Sequence, residues 1–225
     1  MARGESAAPV LDLEEELATV QPGLPPDFGE DPPPPDPWPP PGPVVSNARL
    51  GMLVFLGAEA MFFTGLIGAF LVFRLGSLTW PPAGQPRLPV AVTGVNTVIL
   101  LLSGYTMYRA LRAIREGNRR GLAGGLLATA LLGAVFLGVQ GVEWVRLIRF
   151  GLTLSTGTYG ATFYTLIGTH GLHVLGAVLW LLVMLVGATR NRFSAARHVA
   201  LELCGMYWYF VVGLWPILFA LVYLT

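Results

Sequence analysis

Few side chains in this sequence could move a proton or hold an ion within an apolar setting, and their positions are informative. Glu59, Glu143 and Glu202 each interrupt an apolar run, and His170 and His173 interrupt a fourth. A charged side chain at mid-bilayer costs at least ~2.5 kcal/mol, so each of these is a candidate for proton handling or for an interhelical hydrogen bond. Glu59 is nine residues into its run, roughly 14 Å along a helix and near mid-depth. It reads either as a protonated carboxyl bonded to a neighbouring helix or as a proton-handling group. Glu143 stands beside Trp144 and Arg146, which reads as an ion pair at a helix end. Glu202 falls near the start of the last run. His170 and His173 are three apart and share one helix face.

Metal chemistry finds little support in this inventory. Two histidines on one helix cannot occupy opposite axial positions of one haem, and no thiolate or carboxylate cluster accompanies them. Cys204 is the only cysteine, which excludes an internal disulfide and multi-thiolate iron–sulfur or zinc sites. Beyond His170 and His173 there is one more histidine, His198. The expectation is that this chain binds no metal, haem or other redox cofactor and carries no catalytic residue. The aromatic-rich stretch of Tyr207, Trp208, Tyr209, Phe210 and Trp215 reads as core packing or lipid contact.

The elements that must position these groups are membrane helices. A span needs about 20 apolar residues. Five segments qualify, at about 50–73, 89–108, 122–145, 162–188 and 199–224. The predicted fold is all-α, a polytopic membrane bundle of five transmembrane helices. The composition agrees, because only 12% of residues are charged where a soluble domain carries about a quarter. Eight glycines inside the segments (Gly57, Gly65, Gly68, Gly133, Gly138, Gly168, Gly171, Gly176) read as places of close helix approach.

Charge is unevenly placed. Residues 1–43 hold nine of the thirteen acids and thirteen of the eighteen prolines, whereas residues 44–225 hold thirteen arginines and four glutamates. The predicted organisation is an acidic, Pro-rich tail over 1–47, extended or disordered, and a transmembrane domain over 48–225. The tail has no basic region followed by an apolar run, so it does not read as a signal peptide. Residues 11–17 read as part of this solvated tail, or as a short docking turn. No nucleic-acid partner is expected.

Orientation follows from the arginines. Arg49, Arg109, Arg112, Arg115, Arg119, Arg120, Arg190, Arg192 and Arg197 fall at one membrane face, against Arg74, Arg87, Arg146 and Arg149 at the other. Nine against four predicts a cytoplasmic N-terminus and an outside C-terminus. The loop from Trp80 to Gly84 reads as rigid, with Trp80 as an interfacial anchor. Arg190 and Arg192 are candidate phosphate contacts for anionic lipid, since guanidinium forks suit phosphate.

With these residues in view, the sequence resembles subunit III of the haem–copper cytochrome c oxidases, in its five-helix form. The likeness runs through Arg49-Leu-Gly-Met52 and Glu59-Ala-Met-Phe62-Phe63, through Trp80-Pro-Pro82 with Asn96-Thr97, and through Gln140-Gly-Val-Glu143-Trp144. It continues in Tyr159-Gly-Ala-Thr162-Phe163, in Gly168-Thr-His170-Gly-Leu-His173, and in His198, Glu202 and Tyr207 to Trp215. It covers residues 48–225 and not the tail. Where the family pattern has a histidine and an aspartate in the last helix, Tyr209 and Val212 stand here.

The resemblance implies an accessory, non-redox subunit seated against catalytic subunit I and copper-bearing subunit II, which hold the haem and copper. It implies structural phospholipid in a cleft, support of proton uptake and oxygen access, and a place in the bacterial cytoplasmic membrane. Glu59 would face the cleft and pair with His170 or His173. Two readings stay open beside it: an accessory subunit of a quinol oxidase or of nitric oxide reductase, and a small proton-coupled transporter using Glu59, Glu143 and the histidines. The transporter reading predicts internal repeat symmetry, which the five segments do not display.

Overall fold

The computed structural model describes residues 46–82, 84, 88–194 and 197–224. The expectations for the N-terminal tail, for residues 11–17 and for Arg87 fall outside them. Five helices carry the chain: α1 Asn47–Leu75, α2 Val90–Arg115, α3 Arg119–Arg149, α4 Thr158–Thr189 and α5 Val199–Tyr223. All five are long and apolar enough to cross a bilayer. Among the described residues the only β-type pairing is a single bridge between Ser194 and Arg197.

The helices extend past the apolar segments that announce them. α3 takes in Arg119 and Arg120 at its start and Arg146 and Arg149 at its end. Arginine is a good helix former, so hydropathy marks where a span is apolar and not where its hydrogen bonding stops. The ends are set by local chemistry. The Ser46 side chain accepts from the Arg49 N–H at the start of α1, and Asn118 does the same for Gly121 at the start of α3. Gly117, at φ +74°, allows the three-residue turn that folds α3 back on α2.

α2, α3, α4 and α5 pack in a closed ring, each on its sequence neighbour and α5 back on α2. α1 lies outside this ring and touches only α4 and α5. Trp208 and Trp215 of α5 are fully buried in the ring, and Phe136 of α3 packs edge-on against Trp215 at 5.0 Å. The aromatic stretch of α5 is therefore core at these two positions. Tyr209 is 39% exposed, and its neighbour Tyr207 meets Phe55 of α1 and Trp180 of α4.

The glycine expectation holds at two of the eight positions. A Cβ on Gly133 would lie 2.6 Å from the Trp208 ring, and one on Gly171 would lie 2.9 Å from the Trp144 ring. The other six have nothing within 4 Å of that position. They lie on helix surfaces that this chain leaves uncovered, three of them on α1. Trp80 is held by protein, since its ring packs edge-on against Phe70 and Tyr159 at 5.8 and 5.0 Å.

Candidate functional site

α1 presents a narrow seam to the ring. Met52, Phe63 and Phe70 are its buried residues, and Glu59 falls in the same series. The spacings of seven, four and seven residues trace one stripe along a helix, as in a coiled-coil seam. Leu66, Ile67 and Leu71 are partly buried beside this seam, and much of the rest of α1 is exposed apolar surface, including Leu53, Val54, Met61, Phe62 and Val72. Glu59 lies twelve residues from the first residue of α1, ~18 Å along a helix of ~43 Å. His173 lies fifteen residues into α4, ~22 Å along a helix of ~48 Å. Both groups thus sit near the middle of their spans, and they meet.

The Glu59 Oε2 to His173 Nε2 distance is 2.9 Å, and each side chain is 19% exposed. The other ring nitrogen fixes the protonation pattern. His173 Nδ1 is 2.7 Å from the Thr169 carbonyl oxygen. A carbonyl only accepts, so Nδ1 carries a hydrogen and donates it. A neutral ring then has a bare lone pair at Nε2, and a carboxylate there would set two acceptors against each other. The contact needs one proton, held as Glu59 carboxylic acid donating to Nε2 or as imidazolium donating to carboxylate. In both forms the pair is uncharged overall and holds one transferable proton. Phe62 and Phe63 flank the His173 ring at 6.3 and 5.0 Å, which keeps the pair in an apolar wall.

His170 does not share in this. It is 99% buried inside the ring, stacked on Trp215 at 5.2 Å, with neither nitrogen hydrogen-bonded. Positions three apart on a helix point about 60° apart. That rotation turns His173 to α1 and His170 to α5. Of the two partners that the sequence offers Glu59, the structure selects His173.

A second cluster gathers at the arginine-rich end. Glu202, in the first turn of α5, receives Arg49 of α1 (Nε to Oε2, 3.0 Å), Arg115 of α2 (Nη2 to Oε1, 3.4 Å) and His198 (Nε2 to Oε1, 3.2 Å). One carboxylate therefore ties the starts of α1 and α5 to the end of α2. Sequence reasoning gave Arg49 and Arg115 only a topological role and missed this meeting. The available signal was depth: Arg49 and Glu202 carry opposite charges at the same membrane face.

At the opposite end Glu143 accepts from Arg146 Nη1 at 2.7 Å, the expected ion pair within one helix turn. It is joined by no other candidate site residue. Nearby, Gln140 Nε2 donates to the Tyr223 hydroxyl at 3.0 Å and links α3 to α5. Arg190 and Arg192 close a trough of about 320 Å³ whose other walls are Leu182, Val183, Val186 and Gly187. Paired guanidinium groups above an apolar trough suit a phosphate head with its acyl chain below. Among the described residues, no three of His, Cys, Asp and Glu converge where a metal ion could sit.

The sequence model for cytochrome c oxidase subunit III matches residues 42–225. The chain is 39% identical over 175 residues to cytochrome c oxidase subunit 3 of Synechocystis sp., covering 77% of this chain and 74% of that relative. It is 37% identical over 189 residues to the Loxodonta africana protein of the same name, covering 80% and 71%. For the Latimeria chalumnae protein the identity is 36% over 188 residues, covering 80% and 70%.

Proposed function

The chain belongs to the cytochrome c oxidase subunit III family, and from that membership we propose an accessory subunit of a respiratory haem–copper oxidase with no redox centre of its own. Haem and copper sit in partner subunits, the catalytic subunit I and the copper-bearing subunit II. The chain is a multi-pass membrane protein, and its place is the bacterial cytoplasmic membrane with the N-terminus inside. Nine near-membrane arginines at one face against four at the other support that orientation.

The observation that carries the proposal is the Glu59–His173 pair. It is an uncharged, proton-holding contact at mid-span, on the seam that packs α1 against the ring. In this position it supports proton uptake by the complex while leaving the subunit free of net buried charge. The uncovered apolar faces supply the docking area, and surface glycines of α1 such as Gly57, Gly65 and Gly68 let partner helices approach closely. The Arg190–Arg192 trough holds structural phospholipid, whose hydrocarbon also offers dissolved oxygen a path.

The test is isolation of this chain from native membranes in gentle detergent, with a reduced-minus-oxidised spectrum of the eluate. Co-eluting haem bands and oxygen consumption on addition of reduced cytochrome c are the expected result. A colourless chain that elutes alone, with the haem proteins left behind, overturns the proposal.

A further inference from the structure

A crevice in the molecule lies away from the Glu59–His173 pair and from the Arg190–Arg192 trough. It has a volume of about 540 Å³ and runs between the second half of α2 and the first half of α3 at the arginine-rich end. One wall carries Tyr105, Tyr108, Arg109 and Arg112 of α2, and Gly121 and Gly124 of α3 face them. It exists because α3 is stripped of side chains there. Gly124 has nothing within 4 Å of where its Cβ would be. A neighbouring glycine brings the two backbones together, since a Cβ on Gly125 would lie 2.7 Å from the Ala110 Cβ.

Glu116 also lines the crevice, but Arg109 and Arg112 together exceed the one charge it balances. Among the described residues Arg109 makes no ion pair, because the four carboxylates there, Glu59, Glu116, Glu143 and Glu202, each engage other groups. Arg112 gives its Nε to Glu116, at 2.7 Å, in a well exposed pair, and it also interacts with the Tyr108 hydroxyl. Its remaining N–H groups are available to an anion. Arg119 and Arg120 stand at the start of α3 without a carboxylate partner among the described residues. Depth separates the candidate ligands. Tyr105 is ten residues before the end of α2, so the crevice reaches ~15 Å below that end, into the hydrocarbon. A free phosphate would fill its mouth and leave the lower part empty, whereas an amphiphile fills both.

We propose that the α2–α3 crevice is a binding site for an anionic phospholipid, with its phosphate on Arg109 and Arg112, its ester region beside Tyr105 and Tyr108, and an acyl chain over Gly124. The site is separate from the Arg190–Arg192 trough on α4 and does not depend on the oxidase assignment.

The full chain, in the assembly in which it purifies, is exchanged into nanodiscs of phosphatidylcholine with a minor fraction of phosphatidylglycerol, and native mass spectrometry counts retained lipid. Arg109→Gln removes one phosphate contact. Gly124→Leu fills the crevice without changing charge and without a clash at Cβ. Each variant is expected to lower phosphatidylglycerol retention about fivefold, with phosphatidylcholine unaffected. The Arg190→Gln/Arg192→Gln double variant is expected to leave this lipid in place. Unchanged retention in both crevice variants overturns the proposal. So does displacement of the bound lipid by millimolar inorganic phosphate, which would make the site one for a free anion.

Discussion

Glu59 of α1 meets Nε2 of His173 of α4 at 2.9 Å while Nδ1 of the same ring donates to the Thr169 carbonyl. The backbone bond fixes the tautomer, and the tautomer fixes the proton count of the pair at one. Glu59 has no other hydrogen-bonding partner within the chain among the described residues, so it acts with His173 as a unit.

Glu59→Gln replaces the carboxyl by an amide that can still donate to Nε2 but cannot exchange its proton. Its expected effect on unfolding is within ~1 kcal/mol of wild type, with assembly intact, while the oxidase loses activity sooner under sustained turnover. Glu59→Ala leaves Nε2 without a partner and should cost ~1–3 kcal/mol in the same unfolding measurement. If the glutamine variant fails to assemble, the pair serves packing and not proton handling.

Gly133 lies directly under the buried Trp208 ring. A Cβ there meets Trp208 at 2.6 Å and Val178 at 3.0 Å. Because Trp208 is fully buried, it has nowhere to move. Gly133→Ala is expected to destabilise by ~1–3 kcal/mol, as overpacking does. Gly138→Ala, five residues on and open, should be neutral or stabilising by up to ~1 kcal/mol. Thermal unfolding of the two variants side by side decides this.

The contrast between Gly133 and Gly138 also marks how far the sequence could be read. The five spans were legible because an apolar run of membrane length admits few other readings. Helix ends were not, since Arg119 and Arg149 continue a helix as readily as leucine does. Glu59 and His173 were each legible as polar groups at mid-depth. Their pairing was not, because His170 lies on the same broad face, and only the rotation of α4 against α1 separates the two rings. Similarly, no local pattern tells a glycine under a tryptophan from one on an open surface.

The resemblance implies a histidine and an aspartate where Tyr209 and Val212 stand in the last helix, and the structure treats these two positions differently. Tyr209 is 39% exposed, so Tyr209→His should be tolerated with little change in stability. Val212 is buried at 6% exposure and packs over Gly104 of α2, with its Cγ1 3.6 Å from where a Cβ would lie. Val212→Asp would place an unpartnered carboxyl in that contact and should cost at least ~2 kcal/mol. Lower accumulation of the Val212→Asp chain in membranes, with Tyr209→His at wild-type level, is the expected pattern.

The Glu202 cluster makes a graded prediction, because its three partners differ in exposure. The Arg115 side chain is 63% exposed and reaches Glu202 at 3.4 Å, so Arg115→Gln should change stability by less than ~0.5 kcal/mol. The Arg49 side chain is 45% exposed but places two nitrogens on the same carboxylate oxygen, so Arg49→Gln is expected to cost up to ~1 kcal/mol. Glu202→Gln loses the common acceptor charge for all of them and should cost ~1–2 kcal/mol. The loss is local, since α1 meets the ring only through its seam and its termini. Hydrogen exchange in the first two turns of α1 should therefore accelerate by roughly 5- to 30-fold in Glu202→Gln. Exchange near Glu59 should stay slow, held by the pair with His173. Uniform acceleration along all of α1 would show instead that the helix detaches as one unit and that the cluster, not the mid-span pair, fixes it to the ring.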